Sequence, residues 1–146
     1  MKIFIYIVIV LVAIAIIAGF FVVGSPNQER LRKFDERRVQ DLKSIQYQII
    51  NYWTSKSMLT SQLHDLEDSI SGFKAPHDSV SGAEYIYNVK NAATLEFELC
   101  ANFETSNLNS RDVYESLENW QHDMGMQCFA RKIDPQLYPP KAIPKR

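Results

Sequence analysis

The run IFIYIVIVLVAIAIIAGFFVV, residues 3 to 23, contains no charged side chain, and it constrains the chain more than any other feature. An α-helix rises about 1.5 Å per residue, so a run of this length reaches roughly 30 Å, the thickness of a bilayer's hydrocarbon core. The apolar region of a cleaved signal peptide is shorter, about 7 to 15 residues. The sequence therefore predicts a retained single span, with residues 1–24 as a transmembrane anchor that meets the lipid bilayer through residues 3–23.

Every acidic residue lies beyond Ser25. Over all 146 residues, 16 Lys and Arg stand against 17 Asp and Glu, a net charge of −1. That balance offers no field for nucleic acid, and no such partner is expected. About 120 residues follow the span, enough for one small domain with a single core. The expected division is a module over residues 25–133 and a Pro-rich, extended tail over 134–146.

Gly24, Ser25 and Pro26 punctuate the end of the span, because Pro lacks an N–H and pushes its predecessor out of the α region. A fresh helix is expected to start there, with Ser25 as N-cap, Pro26 at the first position and Gln28 at the third. Leu31, Phe34, Val39, Leu42, Ile45, Ile49, Tyr52 and Trp53 recur mostly at three- and four-residue spacing, while Arg32, Lys33, Glu36, Arg37, Gln40, Lys43 and Gln46 fill the other side. The pairs Glu29 with Lys33 and Arg37 with Asp41 add helix-surface attraction. One buried stripe is predicted, its charges otherwise solvated.

Leu59, Leu63 and Leu66 are spaced for a short helix capped by Thr60. KAPHDSVSGAEY reads as a turn-bearing loop. YIYNV at 85–89 and TLEFELCA at 94–101 read as an antiparallel hairpin joined by KNAA, and MQCFARKI as a third strand after a helical RDVYESLENWQHD. Alternation puts Leu95, Phe97, Leu99 and Ala101 on the core face and Thr94, Glu96, Glu98 and Cys100 on the other. If the third strand runs beside the second, Cys100 and Cys128 meet. The resulting disulfide closes a loop of about 30 residues, worth about 3–4 kcal/mol in the chain-entropy picture.

Two signals disagree about the side of the membrane. Arg30, Arg32, Lys33, Arg37 and Arg38 follow the span while Lys2 precedes it, which points to a cytoplasmic module. A disulfide points to an oxidising compartment. The expectation taken forward is a single-pass protein of the cell membrane with its C-terminal module extracytoplasmic.

A span, a break at proline, a long amphipathic helix and a small antiparallel sheet together resemble type IV pilins and the pseudopilins of type II secretion. RRVQDLKSIQYQIINYW is similar to the pilin helix, and LTSQLHDL to the leucine-rich segment after it. HDSVSGAEYIYNV resembles the pilin turn leading to Tyr-x-Tyr through Asp78, Gly82, Tyr85 and Tyr87, and FELCANF resembles the next strand. GFFVVGSP, RLRKFDERRV, ISGF and CFARKIDPQLYP also resemble a bacterial membrane-protein family with a C-terminal pilin-like domain, over residues 19 to 139. The run has no leader glycine and no acidic residue of the kind that registers pilin subunits, so the resemblance implies the fold rather than processing or filament growth.

The residues for chemistry are sparse. His64, His77 and His122 with Cys100 and Cys128 lack the paired spacing of structural zinc sites, and Asp65, Glu67, Asp68 and Asp78 lack an EF-hand pattern for calcium. Cys128 and His122 do not specify a thiol hydrolase. Tyr47, Tyr52, Trp53 and Trp120 read as core. The resulting expectation is an α+β, pilin-like fold with no catalytic residues, no metal and no cofactor. Its function is that of a non-enzymatic structural or interaction protein of the bacterial cell envelope, related to type II secretion or type IV pilus systems, with other envelope or pilin-like proteins as partners. The alternative is an extracytoplasmic ligand-binding or regulatory ectodomain.

Overall fold

A computed structural model describes residues 2–23, 25–108 and 119–141. The chain is α+β. It runs from an apolar helix α1 (Lys2–Val23) into a long helix α2 (Pro26–Lys56), then a short 3-10 turn (Leu63–Leu66) and strands β1 (Ile86–Asn91), β2 (Glu96–Phe103) and β3 (Gly125–Lys132). α1 is long and apolar enough to cross a membrane, and none of its Lys2–Gly19 segment is buried against the rest of the chain.

α2 starts where Ser25, in extended backbone, accepts the Gln28 N–H on its hydroxyl, and Pro26 occupies the first turn, where a missing N–H costs nothing. It ends at Ser57, whose left-handed backbone (φ 59°) lets its N–H reach the Trp53 carbonyl at 2.7 Å. Leu42, Ile45 and Ile49 are fully buried. Val39, Ile50, Tyr52 and Trp53 pack half-buried around them.

The surface of α2 departs from expectation at four points. Gln46, read as solvated, is buried and accepts a bond from Arg131 Nε at 2.9 Å. Asp35 and Arg38 are buried as well. Tyr47, read as core, is exposed, because it falls opposite Ile45 and Ile49 around the helix. Glu29 pairs with Arg32 at 2.7 Å, one residue nearer in sequence than the expected Lys33, while Arg37 and Asp41 do pair, at 3.7 Å.

The three strands form one antiparallel sheet in the order β1-β2-β3. Phe97, Leu99, Ala101 and Phe103 alternate inward along β2 and meet the α2 stripe, with Tyr87 and Phe129 beside Leu99 on the neighbouring strands. β2 begins two residues later than the expected 94–101, because Leu95 is held in a left-handed conformation (φ 59°) in the hairpin turn. A bulky residue rarely adopts that backbone. Leu95 keeps it by being buried and by giving its carbonyl to the Ile133 N–H at 3.1 Å.

The segment after α2 is tighter than a capped helix. Gln62, not Thr60, precedes the Leu63–Leu66 turn, and the buried Thr60 hydroxyl instead donates to the Gln62 carbonyl at 2.7 Å. The tail also departs from a free extended segment. Trp53 Nε1 donates to the Tyr138 carbonyl at 2.9 Å and the Lys141 N–H to the Thr54 carbonyl at 2.7 Å, docking residues 134–141 on the end of α2. Of the expected helix RDVYESLENWQHD, residues 111–118 and the tail's 142–146 lie outside the described residues, and Asn119–Asp123 is irregular.

Candidate functional site

The densest polar assembly is built around Arg38. Asp35 and Arg38 stand one turn apart on the inward side of α2, with 1% and 3% of their surface exposed. Arg38 donates through Nη1 to Asp35 Oδ1 at 2.7 Å, through Nε to Asp78 Oδ2, and through Nη2 to Asp78 Oδ1 at 3.4 Å. The planar guanidinium is suited to such two-sided recognition, since its donors form a fixed fork.

Each carboxylate is occupied on its far side too. Asp35 accepts the backbone N–H groups of Glu104 and Thr105, at 3.0 and 2.7 Å, and the Thr105 hydroxyl at 2.7 Å. Asp78 accepts from the Val80 and Ser81 N–H groups at 3.0 and 2.7 Å and from the Ser81 hydroxyl at 3.0 Å. Gly82, at φ +71°, then turns the chain so that its N–H reaches the Asp78 carbonyl at 2.8 Å. Nearby, Tyr85 donates its hydroxyl to Asp41 Oδ2 at 2.8 Å.

These contacts decide what the cluster does chemically. Burial alone would push the Asp78 carboxyl up, but the Arg38 guanidinium and the Ser81 and Val80 donors hold it well below the usual carboxylate range. Burial works against the Arg38 charge, yet Asp78 and Asp35 outweigh it and raise its pKa. A carboxylate saturated with donors and permanently ionised is a poor proton acceptor near neutral pH. The cluster instead ties α2, the 78–82 turn and the end of β2 together.

Cys100 and Cys128 sit directly opposite each other on β2 and β3 and are joined by a disulfide, with Cα atoms 4.0 Å apart. They lie on the face of the sheet away from α2, where Cys100 is buried and Cys128 is exposed. Glu98 is within ligand distance of both sulfurs, but the sulfurs are spent on each other and Glu98 Oε1 is held by Lys90 and Asn88 at 2.7 and 2.9 Å. The thiol-hydrolase pair is absent: Cys128 has no free thiol, and His122 is buried with its ring stacked on Phe103, centroids 3.7 Å apart.

The four acidic residues weighed for calcium do not converge. Asp65 takes bonds from Ser61, Gln62 and Thr60, Asp68 caps the Ile70 and Ser71 N–H groups, Glu67 pairs with His64, and Asp78 belongs to Arg38. Trp120 is core, as expected, and Arg131 lies over its ring at 4.1 Å.

Sequence reasoning passed over the Asp35–Arg38–Asp78 cluster, although a signal was present. Asp35, Arg38, Leu42, Ile45 and Ile49 form one series of three- and four-residue steps, so the buried stripe continues through two charged residues. A search for apolar positions alone steps from Leu42 to Val39, Phe34 and Leu31 and passes over both. No family model, no curated protein and no solved structure matches this chain.

Proposed function

We propose that this chain is a membrane-anchored, non-enzymatic structural or interaction protein of the bacterial cell envelope, with a pilin-like module outside the cytoplasm. The observation that carries the reading is the succession of α1 and α2. A helix of membrane-spanning length and composition ends at Val23, and a second helix begins at Pro26 with its inner side laid on a three-stranded antiparallel sheet. Such an arrangement presents a folded module close to a bilayer and leaves its outer surfaces for other proteins. The Cys100–Cys128 disulfide supports an oxidising compartment.

The polar cluster supports a structural role over catalysis, since its carboxylates and guanidinium engage one another and the backbone. A relation to type IV pilus or type II secretion assemblies rests on the resemblance in sequence.

Whole cells treated with a membrane-impermeant maleimide, before and after an impermeant phosphine, test the placement. Labelling only after reduction is expected. Thiols that react without reduction, and only once the membrane is broken, would defeat the extracytoplasmic reading. A photo-crosslinking residue at the exposed Tyr47 tests the interaction role in the same cells, with adducts to pilin-like or secretion components expected. A chain that stays free of adducts there and at the exposed Met124 would count against it.

A further inference from the structure

α1 ends at Val23 and α2 starts at Pro26, so the first turns of α2 stand where the apolar span leaves the bilayer. A hydrocarbon core of roughly 30 Å within a bilayer of about 40–45 Å leaves a headgroup layer of roughly 5–8 Å on each side. At about 1.5 Å per residue, Arg30 lies about 7 Å along the helix from Ser25, Lys33 about 12 Å and Arg37 about 18 Å. These path lengths set the greatest height each residue can have above Ser25, whatever the tilt of α2.

The three cations form one row. Steps of three and four residues stack Arg30, Lys33 and Arg37 along one side of the helix. All three are exposed, clear of the buried Leu42, Ile45 and Ile49.

Their charge is not spent within the helix. Arg30 Nη2 donates to the neutral Asn27 amide oxygen at 3.3 Å, and Lys33 pairs with no carboxylate among the described residues. Arg37 has Asp41 at 3.7 Å with 70% of its side chain still exposed, and Asp41 is shared with the Tyr85 hydroxyl. The neighbouring Glu29 and Glu36 are both drawn to Arg32, at 2.7 and 3.6 Å, which leaves the row in excess. Like charges at this spacing repel and weaken a helix. A layer of phosphates within reach removes that cost.

We propose that the row Arg30–Lys33–Arg37 is a headgroup-binding surface that holds anionic phospholipid at the foot of the module. The inference rests on the reading of α1 as a membrane anchor and adds the class of lipid the anchored chain recognises. Long basic side chains lay their stems along the helix and carry their charged ends to the headgroup layer. There the ammonium and guanidinium groups meet phosphate oxygens, two at a time in the case of Arg. Both leaflets present phosphates, so the surface works on either side of the membrane.

The test uses the full chain in phosphatidylcholine vesicles that carry a trace of chain-end spin-labelled phosphatidylglycerol or phosphatidylcholine. Paramagnetic resonance separates label held against the protein from label free in the bilayer. Restriction of the phosphatidylcholine label is expected from α1 alone and checks the anchor. Preference for the phosphatidylglycerol label should be about threefold or more greater in the wild type than in the Arg30→Gln, Lys33→Gln, Arg37→Gln triple variant. Lys2, at the opposite end of α1, attracts the same lipid in both proteins, so the difference between them decides. The preference should fade in about 1 M salt, where the screening length is about 3 Å. Lys43→Gln, roughly 27 Å along α2 from Ser25, should keep it. Far-UV circular dichroism of the triple variant should be unchanged, because the three side chains are exposed. Equal preference in the triple variant and the wild type would overturn the surface and leave the row to an acidic protein partner. No restriction of either label would instead defeat the anchor.

Discussion

Arg38 on α2 donates through Nε to a carboxylate oxygen of Asp78, separated from it by 40 residues of sequence, and both side chains are shielded from water. Together with Asp35 this makes a charge cluster inside a small domain, a place where the cost of desolvation is met only if every partner is present.

Arg38→Ala should therefore be among the most damaging single changes. It leaves Asp35 and Asp78 buried without their cation, and loss of one partner of a buried pair costs about 3–5 kcal/mol. Urea denaturation of the variant should show that loss. Arg38→Lys should recover only part of it, because an ammonium does not reproduce the fork that reaches both carboxylates. Wild-type stability in Arg38→Ala would remove the cluster's structural role.

Stability should fall in two steps as the solution is acidified. Burial lowers the pKa of His122, although the Asp35 charge opposes the shift, and its Nδ1 has no hydrogen-bond partner among the described residues. The unfolded chain then binds the His122 proton first, so the neutral form's stability is complete at high pH and is lost as pH falls below about 6.5. Asp78 is depressed in the fold, so its contribution is complete above about pH 4 and is lost below it. Melting curves from pH 8 to pH 3 should show both steps, and His122→Phe, which keeps the stack on Phe103, should abolish the first alone.

Reduction of Cys100–Cys128 should cost about 3–4 kcal/mol by freeing the loop it closes in the unfolded chain. Paired melts with and without a phosphine reductant measure this, and the Cys100→Ser, Cys128→Ser double variant should match the reduced protein. Within the reduced protein, Cys128 should alkylate faster than Cys100, since only Cys128 faces solvent. Equal rates would mean that the sheet opens when the bridge is cut.

Leu42→Asp and Ile49→Asp should each unfold the module, because both positions are fully buried and would receive a charge with no partner. Tyr47→Asp, on the outer side of the same helix, should change the melting temperature little. Cooperative melting of Leu42→Asp at the wild-type temperature would contradict the packing of α2 on the sheet.

Periodicity made α2 and the inward face of β2 legible in the sequence, since Leu42, Ile45, Ile49, Phe97 and Leu99 follow the repeats of helix and strand. Ser25 and Pro26 were readable because capping is local chemistry. Leu95 was placed in a strand because alternation cannot report a left-handed backbone. Arg38 and Gln46 were misplaced for a related reason. Their burial depends on Asp78 and Arg131, which tertiary structure brings from elsewhere in the chain.

The position of the Arg38 cluster along α2 has a mechanical consequence. A pulling force entering the module at Pro26 travels up the helix and meets Asp35 and Arg38 before it reaches Leu42, so the first bonds to bear tension are ionic and directional. The apolar contacts behind them are spared until those bonds part. The Cys100–Cys128 bridge links β2 to β3, so it does not shorten the stretch of chain between that point of entry and the cluster. A module tethered at this end is thus gripped at its collar by charge, and it yields there first.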